Sequence, residues 1–300
     1  MKFEEFKEKI VEGLREIYGD DVRIETGVTL RNNGGKYNGI KIFLKGSGSR
    51  ISPSFELDRL YRLFEDGMLN VGDCVWKIFH ERENLSHDEG EKWLAENISE
   101  WESVKDDIYP VLLSTKENRE LLAKLVSTPM LDLSIIYIIR REISEEDIMS
   151  IKIPQRLMES YEITPEQLHR QAMKNMKKDG YEFTDIESLI MEMAGMEGIS
   201  GEKVDPKLEM YILTNRDRSY GAAGILNKEM LQEFSGGRDF IILPSSVHES
   251  LFVPVDGETD QSVFGEMVRE INRNEVSVEE QLADHSYYYD AKNGEIRMCA

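Results

Sequence analysis

The stretch Gly237–Asp256, GRDFIILPSSVHESLFVPVD, constrains this chain more than any other. It holds two apolar runs, Phe240–Leu243 and Ser250–Val255, both rich in Ile, Val, Leu and Phe. Each run is too short for a helix of its own, so both are expected as strands of one buried sheet. The chain turns between them at Pro244-Ser245-Ser246. Ser246-Val247-His248-Glu249 has the S-x-x-E spacing of a capping box, which predicts one helical turn there. His248 is thereby placed between two core strands, within reach of Ser245 and Ser246.

Around this stretch the hydrophobic period alternates between helix and strand. Phe3, Phe6, Ile10, Leu14 and Ile17 predict an amphipathic first helix ending near Gly19. Strands are expected at Val22–Leu30 and Tyr37–Leu44 across Asn32-Asn33-Gly34-Gly35, with a third near Ile51 after Gly46-Ser47-Gly48-Ser49. Neither glycine pair is followed by the Lys-Ser/Thr of a phosphate-binding loop, so both are read as hairpin turns. Helices fill Phe55–Trp101, with a capping box at Ser86-His87-Asp88-Glu89. Further strands are expected at Ile108–Leu113 and Leu131–Ile139, the second central in its sheet, with a short helix between them in Thr115–Ala123. Thr164-Pro165-Glu166-Gln167 opens a helix to about Asp179, and Thr184 opens another carrying Leu189, Ile190 and Met193. Met173, Met176, Met191, Met193 and Met196 read as core packing rather than as a pliable groove. Gly195–Pro206 is a linker. Beyond it come strands at Glu209–Thr214 and, weakly, at Gly221–Ile225, then a helix capped by Asn227. A helix from Ser262 to Ile271, a capping box at Ser277–Glu280 and a hairpin across Lys292-Asn293-Gly294 close the chain. The expected fold class is α+β, with mixed sheets and packed helices. Two α/β units are expected, residues 1–145 and 206–300, joined by a helical segment and linker over 146–205.

Charge narrows the partners. Asp and Glu number 58 against 37 Lys and Arg, a net charge of -21. Such a field repels nucleic acid and anionic membranes unless a basic block overrides it, and the sequence has none. No apolar run approaches the roughly 20 residues that cross a bilayer, and the N-terminus lacks the apolar core of a signal peptide. Two cysteines, Cys74 and Cys299, make no disulfide framework and no metal-ligand pattern. A cytoplasmic location is expected, with no cofactor. His80 and His87 stand among carboxylates, but their spacing matches no common zinc pattern, and no metal site is expected.

The C-terminal segment gathers the candidate binding residues Asn215, Tyr220, Gly221, Ser245, Ser246, His248 and Glu249. A hydrolase would use Ser245 or Ser246 as nucleophile, His248 or His285 as base, and Asp284 or Glu249 to orient the base. Against it, Ser246 is already accounted for as a cap, and no G-x-S-x-G elbow is present. Gly221-Ala222-Ala223-Gly224 is read as small-residue packing rather than as a close approach to a ligand. No catalytic residue is assigned, and Ser246, His248 and His285 remain candidates.

Residues Tyr211–Asn215, Tyr220–Ala223, Ile242–Glu249 and Val253-Pro254 resemble a bacterial family of unknown function, domain-of-unknown-function family 5688. Asp132–Tyr137 and the Thr164–Asn175 helix also fit it, so the resemblance covers most of the chain. Tyr109-Pro110-Val111 through Tyr137, with Gln167–Asn175, is more distantly similar to a second uncharacterised family of Bacillus type. Neither resemblance implies an activity, a cofactor or a site residue, beyond marking Pro244–Glu249 as a hallmark. The leading expectation is a non-enzymatic binding or regulatory protein with an acidic surface and a protein partner. The alternatives are the Ser246 hydrolase and an acidic mimic of nucleic acid.

Overall fold

The computed structural model describes residues 1–45, 52–86, 89–142, 148–186, 209–244, 246–255 and 262–299. The chain divides into two compact units, Met1–Asp107 with Ile139–Ile151, and Ile108–Ile138 with Lys152–Ala300.

In the first unit, helix α1 (Phe3–Tyr18) buries Phe6, Ile10 and Leu14 completely. These three recur one turn apart, so a single face reaches the core. Gly19, at φ 62°, ends the helix in a conformation that costs a residue without Cβ little. Strands β1 (Val22–Leu30) and β2 (Lys36–Leu44) pair antiparallel from Val22↔Leu44 to Leu30↔Lys36. Asn33 and Gly34 supply the positive φ values of their loop. Strand β3 (Ser54–Glu56) adds to β2. Helices α2 (Leu57–Glu65), α3 (Val71–Ser86), α4 (Glu89–Asn97) and α5 (Trp101–Val104) follow. Ile40, Ile42, Leu57 and Ile78 join the buried face of α1 in one core. The Gly46–Ser49 turn, Ile51, and His87 with Asp88 lie outside the described residues.

The chain continues through β4 (Ile108–Ser114), α6 (Arg119–Leu122), β5 (Ser127–Met130), β6 (Leu133–Glu142), β7 (Ile148–Lys152), α7 (Gln155–Ser160) and α8 (Pro165–Met176). Strand β6 lies between β4 and β5 and also pairs with β7. Leu133–Arg140 are buried without alternation, so both faces of this strand are covered. Helix α8 starts as its sequence dictates. The Thr164 hydroxyl accepts the Gln167 N–H at 3.3 Å, and Gln167 Oε1 accepts the Thr164 N–H at 2.8 Å. The Asn175 side chain donates to the Ile108 carbonyl at 2.9 Å, tying α8 to β4. That attachment groups residues 108–138 with the C-terminal part.

Strands β8 (Glu182–Asp185), β9 (Tyr211–Thr214), β10 (Phe240–Leu243), β11 (Ser250–Pro254), β12 (Tyr287–Asp290) and β13 (Glu295–Met298) form an antiparallel sheet in the order β13-β12-β10-β11-β9-β8. The two apolar runs are therefore its central strands, paired from Phe240↔Pro254 to Leu243↔Leu251. Alternation sorts the side chains of β10. Ile241 and Leu243 pack with Val268 of helix α10 (Ser262–Asn274). Phe240 turns the other way, its ring 5.2 Å from that of Phe234 on helix α9 (Lys228–Ser235). Both faces are covered, so all four residues of β10 are buried.

Three local expectations are corrected. Gly221–Leu226 is a 3-10 helix, not a strand, because its small side chains let the backbone sink against β9. Thr184-Asp185 end strand β8, and a helix begins directly after them at Ile186, as the sequence leads one to expect. Ser246 begins no helical turn; it forms a lone bridge with Gln281. Ser277–Glu280 closes a hydrogen-bonded turn that no helix follows. The helix face at Leu189, Ile190, Met191, Met193 and Met196 and the linker Gly195–Pro206 lie outside the described residues. Among the described residues, no helix is long and apolar enough to cross a membrane.

Candidate functional site

The end of β9 and the connection from β10 to β11 bring most of the candidate residues together. The Thr214 hydroxyl donates to the His248 carbonyl at 2.9 Å. Buried Asn215 holds the loop after it: its side-chain amide donates to the Ser219 carbonyl (2.9 Å) and to Asp179 Oδ2 (3.0 Å), and its Oδ1 accepts the Ser219 N–H (3.0 Å). Arg218 and Tyr220 take left-handed φ values of 49° and 57°. Such values cost a non-glycine residue about 1–2 kcal/mol, so packing must impose them. A Cβ on Gly221 would stand 2.4 Å from Thr214 Oγ1 and 2.5 Å from the His248 carbonyl oxygen. Only glycine fits at that crossing.

His248 is held by backbone on one side. Its Nδ1 accepts the Tyr220 N–H at 3.3 Å, and its ring stacks on that of Tyr220 with centroids 5.6 Å apart. An accepting Nδ1 places the proton on Nε2, which faces Glu280 Oε1 at 3.6 Å. The Ser246 hydroxyl accepts the His248 N–H at 3.0 Å. Serine and histidine thus meet through the backbone amide and not through the imidazole. Glu249 connects this turn to β11. Ser245 lies outside the described residues.

His285 goes elsewhere. Its Nδ1 donates to Asp284 Oδ1 at 3.1 Å, and its Nε2 lies 3.5 Å from Asp132 Oδ2, an electrostatic approach without hydrogen-bond geometry. The Tyr287 hydroxyl donates to the other oxygen of Asp132 at 2.7 Å. The bond from His285 holds the Asp284 carboxyl below the usual carboxylate range. Burial, reinforced by the Asp132 carboxylate, pushes the Tyr287 phenol far up, so Tyr287 stays a neutral donor.

Two groupings escaped the sequence reading. One is this Asp132–His285–Tyr287 cluster, whose members are 155 residues apart at the extremes of one bond. The other is a relay across β5, β6 and α8. Thr128 Oγ1 and the Tyr137 hydroxyl are 2.6 Å apart, and that hydroxyl is 2.9 Å from His169 Nδ1. Burial pushes the Tyr137 phenol up to about 12 and holds His169 below its ordinary value. Both shifts keep Tyr137 and His169 neutral, and the direction of the two bonds follows the His169 tautomer. Residue type gave no signal for either grouping, because partners distant in sequence carry no shared period. No group of three or more potential metal ligands occurs among the described residues.

Residues 3–291 match the model of a family of unknown function, DUF5688. The chain belongs to DUF5688. The match takes in both compact units, so DUF5688 spans the whole arrangement from α1 to the turn after β12. No curated protein and no solved structure matches the chain.

Proposed function

We propose that this DUF5688 chain is a non-enzymatic binding protein that meets a protein partner through the loops Asn215–Gly221 and Ser246–Glu249. The observation that carries this reading is the build of the first loop. Asn215, the left-handed Arg218 and Tyr220, and the crowded Gly221 fix its backbone, while Arg216 and Arg218 are exposed and form no ion pair with a described residue. Arginine and tyrosine dominate the energetics of protein interfaces, and a rigid loop loses little entropy on docking. The groups a hydrolase would need are engaged instead: the Ser246 hydroxyl and His248 Nδ1 each accept a backbone N–H. The net charge of -21 steers cationic partners at long range, while Arg216 and Arg218 call for an acidic or aromatic spot within the face that meets them.

The test is capture of a partner from host lysate on the immobilised full chain, with three proteins in parallel. The wild type and Ser246→Ala are expected to retain one stoichiometric protein that elutes as ionic strength rises. The double variant Arg216→Ala, Arg218→Ala is expected to retain about tenfold less, the loss of one interface hot spot. Ester or peptide turnover by the wild type that vanishes in a folded Ser246→Ala variant would overturn the proposal.

A further inference from the structure

Strands β5 and β6 are joined by two residues only, Leu131 and Asp132, between the paired Met130 and Leu133. Leu131 takes φ 55°, while Asp132 is not among the residues of positive φ. A positive φ at the first loop position alone is the arrangement that a type II′ hairpin gives to glycine. Here it is occupied by a leucine that is 48% exposed. Folding of the hairpin gains nothing from that choice. The turn is clamped by its neighbour: the Asp132 carboxylate accepts the Tyr287 hydroxyl at 2.7 Å, and its carbonyl accepts the Thr115 N–H at 3.1 Å. The clamp holds Leu131 in a strained conformation on the wall of an open cleft of about 330 Å³. The cleft is walled also by the 3-10 segment with α9 and by the turn from β12 to β13. Its surface is part apolar and part polar: Leu131 and Ile296 reach it, Ile225 and Leu231 lie buried beneath it, and Lys228 and Glu295 stand exposed on it, neither in a salt bridge with a described residue.

We propose that this cleft binds a small zwitterion with an apolar body, namely an apolar α-amino acid, free or at the end of a short peptide. Its volume is at the lower end for small-molecule sites, which suits a ligand of that size. The Lys228 ammonium receives the ligand carboxylate and the Glu295 carboxylate receives its α-ammonium. Leu131 and Ile296 cover the apolar side chain. Strained non-glycine residues are retained where surrounding structure imposes them and function uses them. Leu131 fits that description, and the site is independent of the partner loops.

Calorimetric titration of the full chain tests it with four probes: L-leucine, L-phenylalanine, dileucine and N-acetyl-leucine amide, which keeps the side chain but carries neither charge. At least one zwitterion is expected to bind, and the blocked amide at least about tenfold more weakly, since it forgoes both charge-assisted contacts. Preference for leucine or phenylalanine over dileucine identifies the free amino acid, and the reverse identifies the peptide end. Leu131→Gly is expected to lower affinity about tenfold while Tm stays equal or rises, because glycine relieves the turn. Lys228→Met and Glu295→Gln are each expected to weaken binding without a fall in Tm, and they carry the test if Leu131→Gly does not fold. Silence of the folded wild type to all four probes, equal binding of the blocked amide, or unchanged affinity in all three variants would overturn the proposal.

Discussion

At the scale of single residues, this protein spends buried polar groups on holding backbone and on fixing proton positions. His169 is the sharpest case. Its Nδ1 is hydrogen-bonded to the Tyr137 hydroxyl, and burial holds its folded pKa below the unfolded value of about 6.5. Between those two values the unfolded chain binds a proton that the folded chain refuses. Stability from His169 is therefore complete above about pH 6.5 and is lost as pH falls below it. Urea unfolding from about pH 7 to about pH 5 should show a fall in stability that His169→Gln reduces. An identical pH slope in the two proteins would refute that assignment. Asp284 has the opposite chemistry with the same sign. Its folded pKa is depressed, first by the bond from His285, so its contribution is present above the unfolded carboxylate value and disappears in acid.

Among the elements, helix α8 reports most directly on local sequence. Thr164, Pro165 and Gln167 supply a cap, a first-turn proline and a reciprocal bond, and all three act as their positions dictate. Thr164→Ala should cost about 1 kcal/mol, read as a lower urea midpoint at unchanged m-value, with Thr164→Ser restoring most of it. A loss of the same size in Thr164→Ser would place the effect in packing and not in the cap. The motif at Ser246 has the same letters as a capping box and a different fate. There the chain has only a few residues between β10 and β11, and Val247 is drawn into hydrogen bonds with Glu280 and Ala222. A helical turn would break those contacts, so the Ser246 hydroxyl caps only the next amide but one. Gly221–Leu226 shows the same competition. Its small apolar residues suit a strand by composition, but Gly221 and Gly224 leave no room for a Cβ against Thr214 and Tyr181, and the segment winds tightly beside β9.

For the molecule as a whole, net charge is the dominant global term. At -21 the folded chain repels itself, and salt screens that repulsion over a Debye length of about 8 Å at physiological ionic strength. Thermal unfolding should therefore move to higher temperature as sodium chloride rises from about 0.01 M to about 0.15 M. A Tm that falls over that range would mean that attractive ion pairs outweigh the repulsion. The sequence alone determined the α+β class, the helix starts with complete caps, the central place of Phe240–Leu243 and Leu133–Ile139, and the Asn33-Gly34 and Asn293-Gly294 turns. These follow from periodicity and backbone chemistry, which act between residues a few positions apart. Tertiary structure alone decided that His248 turns to Tyr220 while His285 turns to Asp284 and Asp132, and that Tyr137 meets His169. It also decided that β4 belongs with α8. Each of those outcomes depends on a partner far along the chain, where pairing and burial outweigh local preference and leave no periodic trace in the sequence.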